Sequence, residues 1–398
     1  MIKSYSIVID EIDDVEIALN ELKTQMSEIN LLRNSIGIAS VHPEFIRFGI
    51  YAAIAKAVPF QLVGMTTISQ TTNGKAGTFL FSILVLTSDT CEFASGESDA
   101  IPLQGGDAFE LTQKCYKETR SKLEKSVKLC FMYAPFIENN SIHKFVEAVS
   151  SIDKRVPLFG SLACADIDSM AIDMKVVYGE HIFNDKMAML LVSGDISPEF
   201  YIGSATKESI VMPNMGEVTA SREHFVMEIN NMNIYDFFEK IGFFTGGARN
   251  QGLLTSVFIA DKKDNNDNII SSVSRSLLTL NNEFATFGGN IEIGSVLSLA
   301  IVTKDVVLTT TKDLVSKIKE KYNSNGDKKT VLMYSCVGRR YSLLDEPMKE
   351  YELLNEEFAN NGFCYLASCS GGEFCPTSET NAGVLNSEHN QSLIACIF

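Results

Sequence analysis

The sequence predicts a mixed α/β (α+β) protein of two domains, in which mixed β-sheets are flanked by helices and built from repeated strand–helix–strand–strand units. Three observations carry this. The chain has 398 residues, too many for one simple core. Short apolar runs of strand length alternate with longer amphipathic stretches of helical period. One order of elements returns three times, the signature of internal repetition.

The first unit opens at Ser35–Ser40, a short apolar strand, and an amphipathic stretch runs on to Ala57. VPFQLVG (Val58–Gly64), a glycine turn near Asn73–Gly77 and a strong strand at Thr78–Thr87 complete it. The second unit has VKLCFMY (Val127–Tyr133), a helical stretch at Ser141–Ile152, VPLFGS (Val156–Ser161) and MAMLLVS (Met187–Ser193). The third has Thr330–Cys336, a helix over Glu346–Phe358, GFCYLAS (Gly362–Ser368) and a closing strand at Ser392–Phe398. A helix between two strands is the crossover that parallel pairing needs, so each unit should hold one parallel pair. The closing strand is expected to be antiparallel.

A different region separates units two and three. FVMEINNMNIYDFF (Phe225–Phe238) reads as a strand, a turn and a helix start. Asn233 caps that helix and Asp236 sits in its first turn. Leu253–Ala260 and Ser295–Thr303 read as strands, Gly288–Asn290 as a turn, and Asp305–Tyr322 as containing a helix that starts near Thr311. DKKDNNDN (Asp261–Asn268) is a solvated loop and NSNGDKK (Asn323–Lys329) a linker. The break between domains is expected near Met212–Arg222, rich in Pro, Gly and small polar residues, giving domains 1–220 and 221–398.

Composition narrows the function. Apolar residues make up 45% and charged residues 21%, with 34 basic and 50 acidic side chains for a net charge of −16. Such a chain repels phosphate backbones and anionic lipid, which argues against nucleic acid as a partner. MIKSYSIVIDEIDD turns acidic at once and does not read as a secretory signal. Thr78–Thr87 is half the length of a membrane span, so no membrane insertion is expected. The nine cysteines lie mostly in apolar runs, without CxxC pairs or zinc-ligand spacing. Reduced thiols in a cytoplasmic protein without cofactor or metal are the natural reading.

The residues resemble the FIST family, a sensory module named for F-box and intracellular signal transduction. The segment Gly216–Gly242 is similar to the family's short strand leading into a Tyr-bearing helix. LNNEFATFGGNIEIGSVLSLA, within Ser274–Leu299, resembles its strand pair ending in Gly before a final strand. VLMYSCVGRR (Val331–Arg340) resembles a family strand end, GGEF (Gly371–Phe374) its G-E turn, and HNQSL (from His389) its closing Asn-bearing strand. The extra Ser and Cys in CYLASCSGGEFC depart from the family pattern, and the N-terminal half matches in pattern alone, at VPFQLVGMTTISQ and VPLFGSLACAD. The resemblance implies a ligand-sensing domain that binds small molecules such as amino acids and works with bacterial signalling proteins.

Candidate site residues gather near the strand ends of the third unit. An Arg leaving a strand can offer its planar fork to a carboxylate, and Arg339 follows Gly338 directly. Glu373 follows Gly371 and Gly372, which let a ligand or backbone come close. Arg339 and Glu373 would then hold the carboxylate and ammonium of an amino acid; the alternative is that they pair with each other. Asn390 can donate and accept at once. Cys336 is expected to line the pocket, and Ser368 lies at a turn position that Thr66, Thr67, Ser69 and Ser161 share in the other units. Those hydroxyls would line one cavity if the units pack around one centre.

The same residues also suit other chemistries. Cys336 with His389 as base would make a thiol-dependent hydrolase or transferase, although cysteine is often a buried, inert wall. Cys364, Cys369 and Cys375 crowd together without a matching His pair. GGARNQG (Gly246–Gly252) lacks the GK[ST] of a phosphate loop and reads as a mobile loop from which Arg249 could reach a ligand. Phe237, Phe238, Phe243 and Phe244 read as packing. The expected function is a cytoplasmic sensor of an amino-acid-like metabolite, with Cys336, Arg339, Ser368, Gly372, Glu373 and Asn390 at its pocket. No output domain is visible, so its signal would pass to a separate protein such as a histidine kinase or chemoreceptor. A ligand-free scaffold with an acidic docking surface is the remaining alternative.

Overall fold

Three copies of one α/β unit interlock in a ring, and a β-rich sheet is inserted into the third. The computed structural model describes residues 2–102, 107–137, 141–204, 209–243, 256–264, 268–322, 329–359, 361–380 and 383–398. Each repeat has a leading strand, a first strand, a crossover helix, a second strand, a projecting hairpin arm and a closing strand. In repeat one the four main strands are Lys3–Ile9, Asn34–Val41, Gln61–Thr66 and Phe81–Ser88. Repeat two has Glu92–Glu97, Val127–Ala134, Leu158–Leu162 and Ala188–Ser193 in the same roles. Repeat three has Glu199–Gly203, Thr330–Cys336, Cys364–Ser370 and Leu393–Ile397.

The pairing is the same in all three. First and second strands run parallel, and the closing strand lies antiparallel between the leading and first strands. The leading strand was missing from the sequence reading of every repeat. Glycine explains part of the shared VP…G pattern. A Cβ on Gly64 would lie 1.9 Å from the Ala39 carbonyl oxygen, and one on Gly160 would lie 1.9 Å from that of Met132. Each glycine stands opposite that residue in its parallel pair, and repeat three has Ala367 opposite Met333 there.

The arms close the ring. The arm of repeat one (Gln70–Thr72 and Lys75–Gly77) pairs onto the second strand of repeat three. That of repeat two (Val176–Tyr178 and His181–Phe183) joins repeat one, and that of repeat three (Glu373–Thr380 and Gly383–His389) joins repeat two. Equivalent backbone bonds start each junction: Thr66 N–H to Lys175, Leu162 N–H to Gly372, and Cys369 N–H to Ser69. The sheets share a central core that includes Ile38, Leu84, Phe131, Phe159, Tyr334 and Leu366. Each also packs outward on its own helices. Both faces are therefore buried, which is why the strand Phe81–Ser88 is buried along its whole length and mostly apolar.

The insert is antiparallel and closes on itself, because Ile210–Arg222 pairs with both Val296–Ile301 and Phe225–Ile229. The segment read as a domain break, Met212–Arg222, is thus strand, and position 220 lies within it. Its proline and glycine sit where the register shifts, between Met212 and Gly216. Asn233 caps the helix Ile234–Lys240 as expected, accepting from Tyr235 N–H at 2.9 Å. Phe237 and Phe238 are buried in the insert's core with Phe258 and Phe287, and Phe243 packs against it. The helix expected near Thr311 begins earlier and spans Lys304–Tyr322. GGARNQG, Arg249 and Phe244 lie outside the described residues.

Candidate functional site

The first strand of repeat three ends at Cys336 and passes straight into a short helix, Val337–Ser342. Gly338, inside that helix, leaves room for the Gln391 side chain, since a Cβ there would lie 1.9 Å from Gln391 Nε2. The helix carries Arg339 inward. Its guanidinium donates to Glu350 Oε1 from Nη2 at 2.6 Å and from Nε at 3.1 Å, and to the Val307 carbonyl, Thr310 Oγ1 and Thr311 Oγ1. Ser335 donates to the other Glu350 oxygen at 2.6 Å. Arg339 and Glu350 are fully buried, and this saturated pair joins three helices to the first strand. Arg339 was expected to hold a ligand's carboxylate, with pairing to Glu373 as the alternative; its partner is instead Glu350, on the next helix.

Glu373 is also fully buried, yet among the described residues neither of its carboxylate oxygens has a hydrogen-bond partner. Ser370 and Cys336 lie close enough to favour its charge, but outside bonding geometry. Burial dominates and pushes the carboxyl well above its usual range. Burial, and then the charge of Glu373, likewise pushes the Cys336 thiol well up. His389 Nε2 stands 3.2 Å from the Cys375 carbonyl, and burial pushes the ring down to about 4. A thiolate beside a base, as thiol catalysis requires, is not what this corner holds.

Ser368 donates to Ser40 at 2.6 Å, Ser161 to Ser370 at 2.7 Å, and Thr67 to the Cys369 carbonyl at 2.9 Å. These buried hydroxyls bond in pairs across repeats instead of lining a hollow. The Gly372 carbonyl is taken by Leu162 N–H.

The hollow lies beside them, where the insert meets repeats two and three. It is a cavity of about 260 Å³ whose walls include Cys336, Gly371 and Asn390 from repeat three. Phe136, Ile142, Cys164 and Met174 come from repeat two, and Ser276, Leu278 and Thr286 from the insert. Of the expected site residues, Cys336 and Asn390 are thus in the wall, while Arg339, Ser368, Gly372 and Glu373 are not. Asn390 Oδ1 accepts from Ser276 N–H at 3.3 Å and Nδ2 donates to the His389 carbonyl at 2.9 Å, which leaves the amide bonding capacity to spare. Among the described residues the lining has no charged side chain. Sequence reasoning missed the contributions of repeat two and the insert. VPLFGSLACAD pointed at Ser161, and the wall residue Cys164 stands three positions on.

A second missed feature bolts the insert to the ring. Arg275 donates from Nη2 to Glu388 Oε1 at 2.7 Å and from Nε to the Asn290 carbonyl, and His143 Nδ1 stands 3.0 Å from Glu388 Oε2. Burial works to raise the Glu388 carboxyl, but Arg275 and His143 outweigh it and hold the group down to about 2. Arg340 is half-buried and donates from Nε to Ser69 Oγ at 2.8 Å, which ties repeat three to repeat one.

All nine cysteines are unpaired and buried. Among the described residues no helix is long and apolar enough to cross a membrane. No curated protein matches the chain. Among solved structures it is similar to the cyanuric acid hydrolase from A. caulinodans, at 8% identity over 100% of this chain and 99% of that one, with a TM-score of 0.38. A likeness that weak carries nothing about activity. The FIST N domain matches residues 35–232 and the FIST C domain residues 251–376. FIST domains are associated with sensing in signal transduction. With both segments present across most of its length, the chain belongs to the FIST family.

Proposed function

We propose that this protein is a cytoplasmic sensor that binds an amino-acid-like metabolite in the junction cavity and signals by contact with a separate protein, such as a histidine kinase or chemoreceptor. One observation carries the reading: the cavity is walled jointly by the insert and two repeats. A ligand there touches the insert and both repeats at once, so its occupancy biases how they sit together. At about 260 Å³ the space suits a small metabolite. The uncharged walls favour an apolar body against Phe136, Ile142, Met174 and Leu278. A polar edge would then meet Asn390 and the hydroxyls of Ser276 and Thr286. Among amino-acid-like molecules, those with apolar side chains fit this best. Nine buried, unpaired cysteines agree with a reducing compartment.

The test is thermal unfolding against a panel of amino acids and their amides. A true ligand at a hundred times its Kd stabilises by about 2.7 kcal/mol and raises the melting temperature. Leu278→Trp, at the rim of the cavity, should remove the rise without lowering the melting temperature of the free protein. A panel in which no member shifts the transition would sink the reading.

A further inference from the structure

The ends of two repeats bring a pair of thiols together beside the cavity, with Cys164 in its wall. Cys164 follows the second strand of repeat two, and Cys369 lies in the second strand of repeat three. Both are fully buried, and the Cys164 thiol donates to Cys369 Sγ at 3.6 Å. Their backbones are anchored to the same short segment of repeat one. Cys164 N–H donates to the Thr66 carbonyl at 2.9 Å and Cys369 N–H to that of Ser69 at 2.8 Å. Thr67 Oγ1 holds the Cys369 carbonyl. The sulfurs are thus kept together by three strand ends, not by chance contact of mobile side chains.

We infer that Cys164 and Cys369 are a redox modification site, oxidised by peroxide to a disulfide that links repeat two to repeat three at the wall of the ligand cavity. The chemistry balances with one peroxide. The sulfur of Cys164, the member that lines the cavity, attacks a peroxide oxygen. A sulfur–oxygen bond forms, the oxygen–oxygen bond breaks, and the thiol proton leaves with the departing hydroxide as water. Cys369 sulfur then attacks the sulfenic sulfur of Cys164. The sulfur–sulfur bond forms, the sulfur–oxygen bond breaks, and the Cys369 proton leaves in a second water. The two thiols have given two electrons to the peroxide.

The environment favours this product. A disulfide is neutral, so it suits a buried apolar wall better than a thiolate or a sulfinate does. The hydrogen bond with Cys369, and then burial, raise the Cys164 thiol, so the first step is slow and answers sustained oxidant. Closure draws the sulfurs from 3.6 Å to about 2.05 Å and moves the Cys164–Ala165 wall, which changes the cavity. That last consequence rests on the proposed ligand site; the disulfide itself does not.

The experiment treats the full-length protein with hydrogen peroxide, unfolds it in an alkylating agent and maps its cysteines by mass spectrometry. A Cys164–Cys369 cross-link, lost on treatment with dithiothreitol, is expected as the dominant product. Cys369→Ser should abolish it and leave Cys164 as a sulfenic or sulfinic acid, while Cys336→Ser should leave the cross-link intact. Recovery of both cysteines alkylated while others oxidise, or a dominant link from Cys164 to Cys336, would overturn the inference. Mapping of the unmutated protein decides this even where a variant fails to fold. With a ligand in hand, its affinity should differ at least threefold between the reduced and cross-linked forms. An unchanged affinity beside a clear cross-link would remove the regulatory consequence alone, and absence of any ligand would count against the sensor reading instead.

Discussion

Arg339 and Glu350 form an ion pair with neither side chain exposed, and Nη2 lies 2.6 Å from Oε1. Removing one member of such a pair strands the other as a buried, uncompensated charge. Arg339→Ala should therefore destabilise the protein by about 3–5 kcal/mol with no ligand present. Urea unfolding checks this, as a fall in midpoint at unchanged slope. A loss below about 1 kcal/mol would mean that water or another partner reaches Glu350.

Acid should act in two stages. His389 ordinarily titrates at 6.5, and burial pushes it down to about 4, so the folded state binds fewer protons than the unfolded chain between those values. Its contribution is full above 6.5 and is lost as pH falls through 4, amounting to roughly 3 kcal/mol. Glu388, held down to about 2 from 4.5, contributes fully above 4.5 and loses a similar amount as pH falls toward 2. Urea stabilities measured from pH 7 to 3 should fall along this course. His389→Gln should flatten the upper stage and leave the lower one.

Glu373 works in the opposite sense. Burial raises its folded pKa, so its contribution is full below 4.5 and is lost as pH rises through the folded value. Glu373→Gln keeps the shape and removes the charge. The variant should be more stable than the parent at pH 8, with the gain shrinking by pH 5. A variant less stable at pH 8 would show that the carboxylate has a partner in solution.

Gly160→Ala should cost about 3 kcal/mol or more, because the added Cβ meets the Met132 carbonyl at 1.9 Å and neither strand can retreat. Gly77→Ala is the control. Its Cβ would meet Leu80 at 3.4 Å, ordinary contact, and the change should stay within about 0.5 kcal/mol. Thermal or urea unfolding of the two variants side by side decides it.

Much of the ring was legible in the chain. VPFQLVG and VPLFGS marked two of the parallel pairs, because a second strand pressed against its neighbour's backbone carries glycine at one fixed place. The leading strands escaped notice. Lys3–Ile9 and Glu92–Glu97 lie at sheet edges, where one side is unpaired and side chains stay partly exposed, so their apolar signal is weak. Of the site, Cys336 and Asn390 were legible as strand-end residues. Cys164, Met174 and Ser276 were not, since nothing local marks a residue whose importance comes from facing another repeat.

By itself the sequence determined the repeated α/β units, their parallel pairs, the Asn233 cap and the family. These depend on periodicity and turn chemistry, which act over a few residues. Only the tertiary structure decided where the arms go, which carboxylate meets Arg339, and that the cavity opens beside the predicted cluster instead of within it. The apolar pattern reports that a face is buried; it does not say against what. Glu350 and Glu373 were equally available to Arg339 in the chain, and the packing of two helices brought one within 2.6 Å and left the other without a hydrogen-bond partner among the described residues.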